Sequence, residues 1–375
     1  MRTKQKKIAI ISRESDSKTL DVSMLEAELL RRGCRVKVLS KLLTKEKSLK
    51  ALGYIGHVVK QQAAIMASDV VVLDTYCIPA SMIPHGKGTK VVQMWHALGA
   101  VKKFGWQTVG KEGGSSEKTA RLMRMHRGYD YVVSPSDITA GYFCEAFDTA
   151  RDKVVKYGLP RIDYIKSVAS GERQADMERR ILSEYPKLAD TGRKTILYAP
   201  TFRRGSSVDL QSLIRALDPG KYDLVVKLHP LYRAAVQADQ DAASASGGRQ
   251  LNVICDEKFS SYDWLSAADI IISDYSSLVI EATLADKPLF IYAYDLEEYR
   301  ENTGLNMDFS SEPIAPYVFE DAAPLAACID KTCGSKGGDE HGYDIKALRA
   351  FRDRYIDIDT DNCTSDLADF IISLA

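Results

Sequence analysis

Residues 270–279 read Ile-Ile-Ile-Ser-Asp-Tyr-Ser-Ser-Leu-Val. Three consecutive isoleucines closed by polar residues mark a strand buried on both faces. Ser276 and Ser277 then open a helix expected over 277–285, since serine readily caps a helix N-terminus. A buried strand that delivers straight into a helix is the repeating unit of a parallel, doubly wound sheet. The alternation continues on either side. Strands are expected at 195–199, 222–228, 252–255 and 288–292, with a helix over 261–268. A separate series precedes them, with strands at 7–12, 34–40, 69–74, 90–95 and 130–134. Its helices are expected over 19–32, stopped by Gly33, over 49–67 and 118–127, and from Ser136 onward.

Two such series suit the length, because 375 residues exceed what one hydrophobic core ordinarily organises. Gly158-Leu-Pro-Arg161 marks the crossover, and a polar stretch over 165–193 follows it. The expected division is 1–158 and 159–362, with a last helix over 363–375 packing back on the first domain. The fold class is α/β, with two doubly wound Rossmann-like domains facing a central cleft. Ligands of such sheets bind at the carboxyl ends of the strands.

Hydrophobic residues make up 45% and charged residues 27%, the composition of a globular chain. No run of about 18 apolar residues is present, so a spanning helix is not expected. The opening Met1-Arg-Thr-Lys-Gln-Lys-Lys7 leads into only Ile8–Ile11, too short for a signal-peptide core. Seven scattered cysteines fit a reducing compartment better than a disulfide framework or a zinc ribbon. The net charge of zero hides an asymmetry: residues 1–160 carry 27 Lys and Arg against 15 Asp and Glu. A basic half suits an anionic partner such as a membrane surface, a phosphorylated substrate or nucleic acid. Attraction between two oppositely charged domains explains the same pattern.

Three strand ends of the second series carry groups suited to phosphate. Ser276 and Ser277 combine hydroxyls with a helix N-terminus, where free amides and the helix dipole favour anions; a plain N-cap is the alternative. Lys227-Leu-His-Pro230 ends a strand at His229, which can donate to phosphate or carry charge for a leaving group. Tyr198-Ala-Pro-Thr-Phe-Arg-Arg204 offers Arg203 for bidentate contact with anionic oxygens, whereas Arg204 reads as a solvated loop residue. In the first series, His96 ends a strand in Met94-Trp-His-Ala-Leu98 and is a candidate general base. The alternative is a structural histidine beside Trp95. Lys102, Lys103, Lys111, Lys118, Arg121, Arg124 and Arg127 follow, interspersed with Phe104, Trp106 and Met123. Basic residues with exposed aromatics suit an anionic membrane interface or a diphosphate-bearing lipid.

Other signals fail. Gly110-Lys-Glu-Gly-Gly-Ser-Ser116 lacks the Gly-Lys-Ser/Thr ending of a P-loop, and no GxGxxG follows the first strand. Asp359-Thr-Asp361, Cys333 and His341 show no ligand spacing, so no metal is expected. No nucleic-acid-binding module is recognisable.

Taken in order, Trp95-His96, Tyr198-Ala-Pro-Thr-Phe-Arg203, Leu228-His-Pro230, Ser273-Asp-Tyr-Ser-Ser277 and Tyr294-Asp-Leu-Glu-Glu-Tyr299 resemble the CDP-glycerol glycerophosphotransferase family, the teichoic acid primases and polymerases. The resemblance spans roughly residues 5–370. It implies a GT-B fold with an acceptor domain first and a CDP-polyol domain second. It also implies transfer of glycerol phosphate or ribitol phosphate from a CDP-polyol to a hydroxyl of a lipid-linked glycan, with release of CMP and no cofactor. Position by position, His96 matches the base. His229 and Arg203 match groups at the donor diphosphate, and Ser276 and Ser277 the phosphate-binding serines. Asp295 and Glu298 lie in the segment that approaches the polyol. The family's Trp-His-Gly followed by Thr-Pro is replaced here by Ala97-Leu98-Gly99 after His96, which bears on acceptor and polyol choice. With just enough residues for two GT-B halves, no added membrane-targeting domain is expected. A primase on the inner face of the cell membrane is therefore expected ahead of a short polymerase, or of a GT-B glycosyltransferase or epimerase using a UDP-sugar.

Overall fold

A computed structural model of the chain describes residues 5–42, 49–86, 88–111, 114–189, 192–201, 208–227, 251–333 and 342–375. The side chains of 49–54 are not part of that description. The chain divides into two compact units. One comprises Met1–Asp163, Asn302–Asn306 and Arg354–Ala375, the other Tyr164–Glu301 and Met307–Asp353.

The described residues of the first unit form a parallel sheet from β1 (Lys7–Ser12), β2 (Arg35–Ser40), β3 (Val70–Leu73), β4 (Lys90–Gln93), β5 (Tyr131–Ser134) and β6 (Val154–Lys156). Their spatial order is β2-β1-β3-β4-β5-β6. Those of the second unit form β7 (Lys194–Tyr198), β8 (Tyr222–Val226), β9 (Asn252–Cys255), β10 (Ile270–Ser273), β11 (Leu289–Tyr292) and β12 (Val318–Phe319). Their order is β12-β11-β10-β7-β8-β9, again with parallel neighbours. The central strands are buried on both faces, as in Ile8–Ile11, Val70–Leu73 and Ile270–Ile272. Parallel strands covered by helices on each side demand such unbroken apolar runs. The edge strand β2 alternates exposed and half-buried positions instead.

Local sequence fixes the helices. Thr19, Ser116 and Ser136 each accept a hydrogen bond from the first turn of the helix that follows, at Leu20–Arg31, Glu117–Leu122 and Asp137–Phe147. Gly33, at φ +80, turns the chain out of the first of these. The stretch expected to be merely polar after residue 164 instead forms helices Pro160–Ala169 and Gly171–Glu184. The helix expected over 118–127 stops at Leu122, because Arg124 and His126 take left-handed φ values. Strands β6 and β12, of three and two residues, and the Ile78–Met82 helix were not expected from the sequence.

The chain leaves the first unit through a buried ion pair. The Arg161 backbone N–H and Nε donate to Asp21 at 2.8 Å each, and Nη2 pairs with the same carboxylate. Residues 159–163 thereby stay with the first unit. Helix Cys363–Ser373 packs against Leu20–Arg31, where Arg32 reaches Ser365 and Asp369. Asp163 accepts from the N–H groups of Cys363 and Thr364 at the start of that helix. The approach is close enough that a Cβ on Gly158 would lie 2.4 Å from Cys363 Sγ.

Candidate active site

In the first sheet, β1 and β3 are neighbours although β2 intervenes in sequence. The connections after these two strands therefore leave in opposite directions, which is where ligands of open α/β sheets bind. The loops that begin there carry Arg13 and Glu14 after β1, and Asp74, Thr75 and Tyr76 after β3.

His96 enters from the turn after β4. That strand is shorter than expected: it ends at Gln93, and Trp95 takes φ +60. For a bulky side chain this backbone costs roughly 1–2 kcal/mol. It is held by its surroundings. The buried Gln93 side chain accepts from Trp95 N–H at 2.9 Å and donates to the Thr75 carbonyl at 3.1 Å. The Trp95 ring stacks on Phe104, with centroids 4.6 Å apart and planes at 21°, and meets Phe147 edge-on at 5.2 Å. Gly105 lets the next turn close, since a Cβ there would lie 2.2 Å from the Ala146 carbonyl oxygen.

The resulting turn presents a half-exposed His96. Its Nδ1 lies 3.0 Å from the Asp74 carbonyl oxygen and 3.6 Å from Glu14 Oε1. A carbonyl only accepts, so Nδ1 carries the hydrogen and Nε2 the lone pair. The Glu14 carboxylate faces the nitrogen that becomes positive when Nε2 takes a proton. Trp95 borders the imidazole at 4.1 Å. The arrangement suits a general base: one ring nitrogen anchored, the other carrying the lone pair, a carboxylate beside it.

Asp74 itself is 1% exposed, and neither carboxylate oxygen has a hydrogen-bond partner. Burial, with Glu14 and Asp21 nearby, pushes its pKa up to about 7; the Ser12 and Thr75 hydroxyls beside it pull the other way. His126 is a different histidine. Its Nδ1 lies 3.0 Å from the Tyr129 hydroxyl, its ring packs on Phe147, and burial pushes its pKa down to about 3. It is a neutral core group beneath Trp95.

Lys102 and Lys103 are half-exposed and held by their backbones. Lys102 bridges Leu305, and the Lys103 N–H donates to the Gly304 carbonyl at 3.0 Å. Asn306 secures the same segment through Gln107 at 2.7 Å. The aromatics expected to be exposed among the basic residues are not. Phe104 belongs to the Trp95 stack, and Trp106 is half-buried with its Nε1 donating to the Met125 carbonyl at 3.0 Å. The exposed apolar group of that region is Leu122, at 69%.

In the second sheet the order changes direction between β7 and β10. Asp274, directly after β10, is fully buried and accepts from the Thr201 N–H at 2.8 and 3.0 Å. Ser273 Oγ donates to the Ala199 carbonyl at 2.8 Å. These bonds tie the two strand ends together and place Ser276 and Ser277 just beyond them. Both serines are half-exposed. Ser276 Oγ accepts from Leu278 N–H at 3.3 Å, whereas Ser277 makes no side-chain cap. The expected helix is a single α-turn, Leu278–Glu281, continued by a 3-10 turn, Ala282–Ala285. Any dipole contribution is correspondingly small, so the hydroxyls and individual N–H groups carry the case for an anion.

Tyr275 joins this turn to a second motif. Its hydroxyl donates to Asp295 at 3.1 Å, and its ring stacks on Tyr299 at 4.1 Å. Asp295 is thus tied to the residue that precedes the serines, whereas Glu298, on helix Leu296–Asn302, is exposed. Lys227, at the end of β8, donates to Asp256 Oδ2 at 2.8 Å and to the carbonyls of Asp256 and Phe259. Burial opposes the charge on Asp256, but bonds from Lys227, Tyr185 and Trp264 outweigh it and hold the carboxyl below the usual range. The anchored strand leads into His229, which lies outside the described residues, as do Arg203 and Arg204.

Sequence reading missed Asp74 and Glu14. Each is an isolated acidic residue after a strand, and only the sheet order brings them to His96. Among the described residues no three His, Cys, Asp or Glu side chains are arranged to hold a metal ion, and no helix is long and apolar enough to cross a membrane.

Comparison with known proteins bears on this geometry. The chain is 30% identical over 336 residues to a teichoic acid ribitol-phosphate primase of Bacillus spizizenii, covering 85% of this chain and 79% of that one. It is 29% identical over 327 residues to a teichoic acid glycerol-phosphate primase of Bacillus subtilis, covering 85% and 77%. A solved structure of the wall teichoic acid polymerase TagF superposes with a TM-score of 0.72 over 99% of this chain and 89% of that one, at 18% identity. That likeness shows a shared GT-B-like fold. The model of the CDP-glycerol:poly(glycerophosphate) glycerophosphotransferase family matches residues 1–373, and the chain is a transferase belonging to that family.

Proposed function

We propose that the protein is a primase of teichoic acid or a related cell-wall polymer, adding glycerol phosphate or ribitol phosphate from the CDP-polyol to a lipid-linked glycan hydroxyl. The observation that carries this reading is His96 at the β1/β3 switch point, with Nδ1 on the Asp74 carbonyl and Nε2 carrying the lone pair. The relatives named as primases support the priming step, because the match runs over most of their lengths.

The acceptor oxygen bonds to the donor's β-phosphorus as its proton passes to His96 Nε2. The bond from that phosphorus to the bridging oxygen breaks, and CMP leaves with the electron pair. Glu14 stabilises the imidazolium. Ser276 and Ser277 receive phosphate oxygens, and Asp295, with Glu298 on the following helix, receives polyol hydroxyls. Arg203 and His229 offset charge at the diphosphate. This chemistry needs no cofactor and no obligatory metal.

Lys102 and Lys103 contribute to binding the anionic acceptor. The enzyme attaches peripherally to the inner face of the membrane. The basic residues around exposed Leu122 support this, and so do the outward-facing Ile55, Val59 and Met66 of helix Leu49–Met66.

The test is CMP release by purified protein with CDP-glycerol or CDP-ribitol, with and without a short-chain lipid-linked disaccharide, followed by mass spectrometry. One added unit, dependent on acceptor, is expected; a ladder of additions would make the enzyme a polymerase. His96→Ala should lower turnover by roughly 10²- to 10⁴-fold while leaving CDP-polyol affinity unchanged. Near-normal turnover would remove His96 as the base.

A further inference from the structure

Asp74 contributes two groups to the same place. Its carbonyl receives His96 Nδ1–H at 3.0 Å, and its carboxyl is buried with no backbone or charged donor among the described residues, only the Ser12 and Thr75 hydroxyls beside it. Covalent geometry keeps the two within about 5 Å of each other. A buried carboxyl that only two hydroxyls serve is costly. Leu or Val would fill the same space at less cost.

We propose that Asp74 is a positioning residue for His96, whose carbonyl fixes the reactive tautomer and whose carboxyl sets how tightly the imidazole holds the proton it takes from the acceptor. The inference rests on the reading of His96 as the base.

The groups facing the carboxyl come from every neighbouring element. Ser12 ends β1, Glu14 lies on the loop after it, and Thr75 on the loop of Asp74 itself. Asp21 lies on helix Leu20–Arg31, already neutralised by Arg161, and His96 on the turn after β4. Arg13, on the loop after β1, donates Nη1 to the Tyr76 carbonyl at 2.5 Å and its backbone N–H to Thr75 Oγ1 at 3.2 Å. When Asp74 is protonated, the Glu14 carboxylate still lies beside His96 Nδ1. When Asp74 ionises, a second negative charge favours the imidazolium, and His96 becomes the stronger base. Burial places this ionisation near neutrality, so the two titrations are coupled.

The experiment is a pH titration of the His96 ring by NMR in the full-length wild type and in Asp74→Asn, with His96→Ala used to assign the signal. In folded Asp74→Asn, His96 should release its proton about one pH unit lower, a roughly tenfold weaker hold. The acid limb of the pH–rate profile for CMP release should move down with it. A His96 midpoint within about 0.2 pH unit of wild type overturns the proposal. The wild type gives a second reading that needs no folded variant: the His96 curve should broaden over the range in which the Asp74 carboxyl carbon titrates. A His96 curve with a single, unbroadened ionisation across that range overturns it as well. Either result is independent of catalysis. Normal turnover by His96→Ala would remove the base and leave the coupling standing.

Discussion

Asp74 and Asp274 occupy matching places in separate sheets. Each directly follows the strand at which its sheet changes direction, β3 in one and β10 in the other, and each is buried. Their surroundings differ. Asp274 accepts the Thr201 N–H with both oxygens and so locks the end of β7 to the end of β10. Among the described residues Asp74 receives no backbone N–H, only the Ser12 and Thr75 hydroxyls lie beside it, and burial holds its proton to near pH 7. The first aspartate of this pair to catch the eye in the sequence, within Ser-Asp-Tyr-Ser-Ser, is a structural clamp. The inconspicuous one stores an unfavourable interaction next to His96. A buried carboxylate bonded to backbone N–H stabilises the scaffold under a turn, whereas one kept protonated by burial is a candidate for chemistry.

The largest expected effect separates the two through pH. The folded state holds the Asp74 proton to about pH 7, while an unfolded chain releases it near the ordinary carboxyl value. Between those values the folded state binds more protons, so Asp74 makes stability fall as pH rises. Asp74→Asn removes that penalty. The variant should match wild type near pH 4 and exceed it by up to about 4 kcal/mol above pH 8. Urea unfolding at the two pH values checks this, and an equal difference at both would remove the comparison's central contrast.

Asp274→Ala should act in the opposite sense. It strips the acceptor from a buried N–H and parts two strand ends, a loss of about 3 kcal/mol in urea unfolding. Because Ser276 and Ser277 follow directly, CDP-polyol affinity should fall with it. A change below about 0.5 kcal/mol would show that Asp274 is no clamp.

The same contrast shows what the sequence makes legible. Both sheets could be read from runs such as Ile8–Ile11 and Ile270–Ile272, because a strand covered on both faces must be apolar throughout. Helix starts were legible where Thr19 and Ser136 cap them. His96 and Ser276 stood out as polar groups at strand ends. Asp74 and Glu14 did not, since their meeting depends on β1 lying beside β3, a fact of sheet order that no local pattern carries. Trp95 was read as the end of a strand, and its left-handed backbone follows from packing against Phe104 and Phe147 rather than from any turn residue. β6 and β12 escaped because two or three residues show no periodicity.

The smallest effect sharpens the clamp side. Tyr275 links the serine turn to Asp295 by one hydrogen bond and rests on Tyr299 by its ring. Tyr275→Phe keeps the stack and deletes the bond, so stability should drop by about 1 kcal/mol or less. If Asp295 receives the polyol, losing the bond that orients it should raise KM for the CDP-polyol several-fold while kcat stays near normal, since orientation toward bound donor is ground-state binding. Tyr275→Leu removes both contacts and should cost about 3 kcal/mol, as large-to-small changes in buried aromatics do. An unchanged KM in Tyr275→Phe would place the Tyr275–Asp295 bond with Asp274 among the purely structural ties, and Ser276 and Ser277 would then stand alone as the donor-facing residues of the described turn.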